Sequence, residues 1–546
     1  MKKNIFYWAF LVLAGISLTA CSSGDDNIAG NTTPVTPDSQ NKTVILTGTI
    51  GVGGDEATRA VDDEGKTSWK ANDLITINYE TTSGYARATG TIKQVSSDNH
   101  FATFEATLTG PKNDGNIGFA YGTVNSATPS SAYDFTFDYS VYSSQEGTTA
   151  TITSSGLDYA CTESGGEVKM AVDGSTATLK STALLKNQFS MFEFTLKDGN
   201  GDEVPATKLE IFIKSGDSFS STADYTVTPT AATSKFYVAL EPTESTVDKV
   251  KIVASFNNQD AAKKLDADGV TAMTDADEGK YICVDESAGT NQYQAYIYPS
   301  LASPKVCEHT YGTSKFVKGK LYSANLTVKD LTARAVVAHV GEVSGYWDKF
   351  LALALEDVTT SGVSTADASA TLAQNWADGK AIKIGTNTYG DMYNHNYDEV
   401  IPNVNTTDGT PGITGDYSPS KTHEGDAVKG WRIPSVTDWR YVIANLGGTG
   451  ARSATDPAGI GDHNFYYPGN TTETGARYSA LTVDDEINEA CGNSNLKGQF
   501  YWTSSYYNYN NGESTVKKAW RYSFEHHYFI WTSNEDNSML RAVFAY

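Results

Sequence analysis

Cysteine is scarce in this chain, which has five among 546 residues, at positions 21, 161, 283, 307 and 491. No two of them stand as C-x-x-C, so their spacing predicts no zinc ribbon or zinc finger. A bridge between Cys283 and Cys307 in an oxidising compartment and four buried free thiols beyond Cys21 are equally good interpretations. The sequence therefore supports no disulfide assignment.

Basic residues are also fewer than acidic ones in this chain. The chain has 41 lysines and arginines against 65 acidic residues, which gives a formal net charge of -24. A surface this acidic repels phosphate backbones, so nucleic acid is excluded as a partner. No long apolar run follows residue 21, and the sequence therefore predicts no second membrane span.

Local signatures of enzymes are missing as well. The chain has no H-E-x-x-H, no G-x-S-x-G and no Walker loop. We therefore expect no catalytic residues, no cofactor and no metal site, and the protein is not predicted to be an enzyme. A surface enzyme acting on glycans remains an open alternative, because two carboxylates that converge in a cleft leave no local motif.

The N-terminus has the three parts of an export signal. Lys2 and Lys3 precede an apolar stretch over residues 5–18, which is too short for a comfortable membrane span, and Leu18-Thr19-Ala20-Cys21 follows. This pattern resembles the lipobox of bacterial lipoproteins, which implies a signal peptide over residues 1–20, acylation (palmitate) of Cys21 and attachment to the outer membrane. The alternative is an ordinary secretory signal followed by a chance cysteine.

Alternation of apolar and polar residues predicts a mostly β protein. Residues 43–52 form the first such segment, in which Val44, Leu46, Ile50 and Val52 share one parity. The small, polar residues 53–60 follow and predict a loop that a protease can reach. Further alternating segments predict two β-sandwiches, over residues 60–183 and 184–331.

Several local features occur in an order that resembles the fimbrillin family, the two-domain pilins of Bacteroidetes type V pili. These features are the lipobox, the Ala57-Thr58-Arg59-Ala60 site and residues 69–75, 185–196 and 319–328. The resemblance covers residues 1–331. It implies that residues 21–59 are a lipidated propeptide and that an arginine-specific protease cuts after Arg59, so that the mature chain begins at Ala60.

The same resemblance implies a role for the strand over residues 43–52. Once cut, this strand with Val44, Leu46, Ile50 and Val52 is displaced, and a strand of another pilin subunit takes its place by donor-strand exchange. The alternative is a permanent strand over 43–52 and an ordinary surface arginine at position 59.

The pattern changes from about residue 338. Trp431-Arg432-Ile433-Pro434 precedes a predicted helix that Ser435 or Thr437 caps and Gly447 ends, with Trp439, Val442, Ile443 and Leu446 on one face. Together with residues 500–505, 519–524 and 540–546, this resembles C-type-lectin-like domains of Bacteroidetes surface proteins and predicts an α+β domain over residues 338–546. We expect Trp431, Trp439, Trp502 and Trp520 to pack in its core.

Two segments of this domain are candidate ligand sites in predicted loops. One contains Tyr506, Tyr507, Asn508, Tyr509 and Asn510, and the other surrounds Trp531. Aromatic faces stack on sugars and asparagine amides bond hydroxyl groups, although a plain loop is the alternative. The Glu-Pro-Asn, Gln-Pro-Asp and Trp-Asn-Asp motifs of calcium-dependent lectins are absent, so no metal is predicted.

These features predict a cell-surface pilus tip subunit or adhesin. Its expected partners are other pilin subunits, an arginine-specific protease, a host or bacterial surface glycan or protein, and the outer membrane through the lipid before cleavage. The first alternative is a glycan-binding surface lipoprotein that does not polymerise and stays attached at Cys21.

Overall fold

The computed structural model describes residues 42–52, 69–357, 381–389, 430–447, 483–492, 500–524, 528–532 and 538–546. Within these ranges there are gaps at 98–99, 126, 215–218, 245, 248, 266–272, 289–291, 313–314, 344–346, 385–386 and 511–514. The prediction of a mostly β protein is confirmed.

The first unit of the fold is a sheet that closes on itself. Its part of the chain contains β1 (Thr43–Val52), β2 (Leu74–Thr81), β3 (Gly84–Val95), β4 (Phe101–Thr109), β5 (Asn116–Tyr121), β6 (Ser144–Gln145), β7 (Ala160–Cys161), β8 (Val168–Asp173), β9 (Thr176–Leu179) and β10 (Ala183–Asn187). All except β6 join in the order β10-β7-β5-β2-β3-β4-β1-β9-β8, and pairings of β5 with β8 and of β1 with β10 close the sheet. Apolar side chains of alternate residues fill its interior, as period-two patterns dictate.

The next strands along the chain divide between two units. They are β11 (Ser190–Lys197), β12 (Lys208–Ile213), β13 (Tyr225–Val227), β14 (Lys235–Leu240), β15 (Val250–Ser255), β16 (Lys263–Lys264), β17 (Tyr281–Asp285), β18 (Gln292–Tyr298), β19 (Lys305–Tyr311), β20 (Leu321–Thr327) and β21 (Lys329–Asp330). A three-stranded sheet, β14-β11-β20, and a six-stranded sheet, β21-β19-β15-β12-β13-β6, share one apolar core. They form the second unit, a β-sandwich.

Residues from the first predicted domain complete the core of this sandwich. A 3₁₀ helix (Tyr139–Ser143), the short strand β6 and the helix α1 (Thr149–Ser154) lie between β5 and β7. Tyr142 and Ile152 are buried in the core of the second unit. The Gln145 amide donates to the Ala239 carbonyl at 2.7 Å, which ties β6 to β14.

The third unit uses the remaining strands and two helices. They are β22 (Thr332–Val340), β23 (Phe350–Ala354), β24 (Ala381–Ile384), β25 (Asn387–Tyr389), β26 (Gly430–Arg432), α2 (Val436–Leu446), α3 (Val483–Ala490), β27 (Phe500–Asn510), β28 (Thr515–Ser523), β29 (Tyr528–Thr532) and β30 (Val543–Ala545). The main sheet has the order β25-β24-β18-β17-β22-β23-β30-β26, with β16 on β18. A separate sheet has the order β27-β28-β29.

The chain passes between the second and third units three times. It leaves the sandwich after β15, returns after β18 and leaves again after β21, so residues 263–298 belong to the third unit's sheet. The range 184–331 predicted for one sandwich therefore contributes strands to two units. At the joint, Lys329 Nζ lies 2.6 Å from a carboxylate oxygen of Asp285, whose side chain is 3% exposed.

The helix α2 follows its sequence prediction closely. The Ser435 hydroxyl accepts a hydrogen bond from the Asp438 backbone N–H at 3.1 Å, and the Ser435 N–H donates to the Asp438 carboxylate at 2.7 Å. Gly447 ends the helix. The apolar face with Trp439 and Val442 is buried against the sheet, so the predicted cap, stop and buried face are confirmed.

The cysteines at 161, 283, 307 and 491 are buried and form no disulfide. Of the two interpretations of these cysteines, the one without a disulfide is found. Among the described helices, none has the length and apolarity that crossing a bilayer requires.

Candidate functional site

The candidate site is the place that β1 occupies in the first unit. β1 pairs with β4 in antiparallel fashion over all but its last residue, from Thr43 opposite Thr109 to Gly51 opposite Phe101. Its other edge is shared between two parallel partners. Residues 45–47 pair with β9 and residues 50–52 pair with β10. β1 is therefore a central strand that closes the sheet from both sides.

The inward face of β1 forms part of the core. Val44, Leu46 and Ile50 are 1%, 0% and 0% exposed and pack with the apolar side chains of the first unit. The outward face is open, and Ile45 is 49% exposed. Val52 ends the strand. Removal of β1 would therefore leave a groove with an apolar floor between β4 and the pair β9 and β10.

Two glycines make β1 a weak strand by itself. Gly48 lies on the inward face and Gly51 on the outward face. Glycine lowers strand stability because it has no side chain to pack and loses more backbone entropy on ordering. Most of the stabilisation of β1 therefore comes from its three buried side chains and its backbone pairing.

Several hydrogen bonds stabilise the end of the groove where β1 begins. The Tyr79 hydroxyl donates to the Thr109 carbonyl at 3.2 Å and accepts from the Thr109 N–H at 3.1 Å. The Gly110 N–H donates to the Lys42 carbonyl at 2.8 Å, which extends the pairing by one residue beyond β1. Nearby, hydrogen bonds from Lys112 and from the Asn116 backbone N–H hold the pKa of the Glu80 carboxyl below its ordinary value. The two Tyr79–Thr109 hydrogen bonds hold this end of β4 independently of β1, whereas the bond to Lys42 would be lost with it.

Cys21, Arg59 and Ala60 lie outside the residues that the structure describes. Lipidation at Cys21 and cleavage between Arg59 and Ala60 therefore stay predictions. The described chain resumes at Trp69, which is buried in the same core as the inward face of β1.

The second candidate site falls on the three-stranded sheet of the third unit. Tyr506, Tyr507, Asn508, Tyr509 and Asn510 belong to β27 and pair with residues 515–519 of β28. The prediction that these five residues lie in a loop is wrong, because the tyrosine-rich segment extends the strand that the sequence analysis ended earlier.

The loop prediction is also wrong for Trp531, which belongs to β29 and lies opposite Trp520 of β28. β28 thus lies between the two candidate segments and brings them into one sheet. The side chains of these six candidates lie outside the described residues, and their ligand-binding role stays a prediction.

The motif tryptophans of the third unit are core residues. Trp431, Trp439 and Trp502 are at most 1% exposed, which confirms their predicted packing role, while the Trp520 side chain is outside the described residues. Arg541 is also buried at 1% exposed, and its Nε lies 2.7 Å from a carboxylate oxygen of Asp357. The Asp357 side chain is 18% exposed, so this ion pair joins the buried arginine to a partly exposed carboxylate.

The second sandwich contains two cavities that no sequence pattern predicted. One encloses about 300 Å³ between the two sheets and is lined by Phe192, Phe194 and Phe316 among others. The other is a groove of about 660 Å³ bordered by Phe137 and Glu241. Their lining residues come from distant parts of the chain, so no local motif marks them. Within the described residues, no group of three or more His, Cys, Asp or Glu side chains is placed to hold a metal ion.

Comparison with known proteins gives structural likenesses only. No family model and no curated protein matches the chain. A protein from Bacteroides fragilis, provisionally described as a cell adhesion protein, aligns over 53% of this chain and 97% of its own length, with 10% identity and a TM-score of 0.27.

Two further solved structures align in the same way. A fimbrial protein from Bacteroides ovatus covers 93% of this chain and 100% of its own, with 9% identity and a TM-score of 0.23. The shaft pilin SpaA from Lactobacillus rhamnosus covers 53% of this chain and 97% of its own, with 11% identity and a TM-score of 0.19. The chain is thus similar to fimbrial and adhesion proteins, at a level too low to decide its fold family or its function.

Proposed function

We propose that this protein is a pilus tip subunit and adhesin of the cell surface, assembled by donor-strand exchange. It is exported as an outer-membrane lipoprotein acylated at Cys21. An arginine-specific protease cuts after Arg59 and frees the chain that begins at Ala60. The third unit then presents a ligand-binding surface to a host or bacterial glycan or protein.

The position of β1 is the observation that carries the proposal. β1 is a central strand by its pairing and a core element by its burial, yet it precedes the predicted cleavage site by only a few residues. After cleavage at Arg59, hydrogen bonds and side-chain burial alone would hold β1 to the rest of the protein. The uncut chain thus contains its own temporary occupant of the groove.

Loss of β1 would create the two conditions for strand addition. The full length of β4 and the ends of β9 and β10 would present unpaired backbone groups. The floor vacated by Val44, Leu46 and Ile50 would expose apolar surface. An extended segment of another subunit satisfies both the backbone groups and the apolar floor, which is the chemistry of β-augmentation.

At the proposed tip position the subunit would not have to donate a strand, and the pairing of β30 is compatible with that position. A shaft subunit must release a strand of its own to fill its neighbour's groove. β30 lies inside the main sheet of the third unit, paired with β23 on one edge and β26 on the other. Its release would break both pairings and remove Phe544 from the core, so this strand is unsuited to donation.

The test measures both where the mature protein begins and whether it assembles into pili. Mature protein from the cell surface would be sequenced from its N-terminus, with assembly into pili followed by gel, for the natural chain and for the Arg59→Ala variant. We expect an Ala60 start in the natural chain, and an uncut, unassembled Arg59→Ala chain. Lys66→Ala is the matched control, because it removes a nearby basic residue that an arginine-specific protease ignores. Normal entry of Arg59→Ala into pili, or surface protein that starts only at acylated Cys21, would overturn the proposal.

A further inference from the structure

Gly48 lies on the inward face of β1 and has no side chain. The space beside it is filled by the side chain of Leu179 from β9. A Cβ atom built on Gly48 would lie 2.5 Å from Cγ of Leu179, 2.7 Å from its Cδ1 and 3.1 Å from its Cβ. Carbon atoms in contact lie about 3.5–4.0 Å apart, so any side chain at this position collides with Leu179. The floor of the groove is therefore deep beneath Leu46 and Ile50 and raised between them.

The strand pairing explains why Leu179 reaches this point. The parallel pairing of β1 with β9 places Thr47 opposite Thr178. One residue further on, Leu179 therefore lies next to Gly48 on the same face of the sheet. Leu179 also pairs with Met170 of β8 and packs against the core of the first unit. Neighbours on two sides thus restrict its movement.

The second glycine of β1 imposes a weaker restriction. A Cβ atom on Gly51 would meet the Phe101 ring at 2.6 Å and Leu184 at 3.2 Å. Both of these side chains are on the outward face and are 42% and 49% exposed. They are free to turn into solvent, whereas Leu179 is only half-exposed and packs against core side chains. The side chain of a bound strand is therefore restricted more strongly at the Gly48 position than at the Gly51 position.

We propose that Leu179 makes the groove selective for donor strands with glycine at the Gly48 position, flanked by large apolar residues at the positions of Leu46 and Ile50. This inference rests on the proposed strand exchange. The partner is an extended segment of another subunit with the pattern apolar-x-apolar-x-Gly-x-apolar. Leu179 also fixes the register. A slip of two residues would bring the equivalent of Leu46 or Ile50 onto it, and a slip of one would turn the polar face inward.

The experiment uses the full chain cut at Arg59 and fluorescent peptides that span residues 42–52. Peptide entry into the groove would be followed by fluorescence polarisation. We expect the natural peptide and a Thr47→Val peptide to enter, since Thr47 is exposed. A Gly48→Val peptide should bind about tenfold more weakly, because overpacking against Leu179 costs free energy of that order. On the Leu179→Ala chain, the Gly48→Val peptide should regain binding.

Each result has a separate meaning. Equal binding of the natural and Gly48→Val peptides would overturn the selectivity and leave strand exchange standing. Failure of the natural peptide to enter would instead count against strand exchange itself.

In that case, thermal unfolding of the uncut chain still decides the role of Leu179. Gly48→Val should lower the unfolding temperature, and Leu179→Ala combined with it should restore part of the loss. Equal losses from Gly48→Val in the presence and absence of Leu179 would refute the proposal.

Discussion

Truncation of Leu46 is the sharpest test of how β1 is held. Leu46 is fully buried and lies between Ala106 of β4 and Ala177 of β9. Neither alanine is long enough to fill the space that Leu46→Ala would leave. The cavity should therefore persist, and the expected loss lies in the upper half of the usual range for leucine truncation, about 3–5 kcal/mol.

This loss translates directly into the release of the cut strand. Side-chain contacts are lost when β1 leaves the groove, and each 1.4 kcal/mol corresponds to about a tenfold change. After cleavage at Arg59, the Leu46→Ala strand should leave between about one hundredfold and a few thousandfold faster than the natural strand. Release of the fragment that ends at Arg59 would be timed by size-exclusion chromatography with mass spectrometry.

Ile45→Ala provides the matched control on the same strand. Ile45 is 49% exposed, so its truncation leaves no cavity and should accelerate release by less than about tenfold. Equal release rates for the two variants would refute the argument that burial in the groove retains the strand. The same order of effects is expected in urea unfolding of the uncut chains.

Three further predictions concern the rest of the fold. Burial alone would raise the pKa of the Asp285 carboxyl, but hydrogen bonds with Lys329 and Ser287 outweigh burial and lower it. The stabilisation from this group should be complete above its unfolded pKa of about 3.9 and be lost as the pH falls below that value. The difference in the free energy of unfolding in urea between the natural chain and Asp285→Asn should therefore shrink below about pH 3.9. Burial raises the pKa of the Cys161, Cys283 and Cys307 thiols to about 12, so these three should resist a thiol reagent at about pH 8 until the protein is unfolded. Rapid labelling of any of them in the native protein would contradict this. Ser435→Ala should lower the free energy of unfolding by about 1 kcal/mol, measured in urea, because it removes the cap of α2.

Local patterns were sufficient for β1 and for the start of α2, although they placed Tyr506–Asn510 of β27 in a loop. The alternation over residues 43–52 predicted β1 and its buried face, since side chains of a strand alternate by geometry. Ser435 was one of the two predicted caps of α2, and it was predictable because its hydrogen bonds with Asp438 span only three residues. The candidate groove on the first unit was therefore predictable as a strand position.

Partners of strands were less predictable than the strands themselves. Alternation shows which face of β17 and β18 is buried but not which sheet they join, and they pair beyond the sandwich that surrounds them in sequence. Leu179 shows the same limit at the site. Its conflict with any side chain at Gly48 arises from a parallel pairing of segments more than a hundred residues apart, so no local pattern marked it.

Three backbone segments connect the second and third units, and this number affects how the protein resists mechanical force and proteolysis. In the proposed pilus subunit, tension from a bound ligand would be shared by three backbone segments between these units, after β15, β18 and β21. A protease that severs one of them leaves two covalent connections in place. The third unit would then stay attached after damage that would detach a domain carried on a single linker.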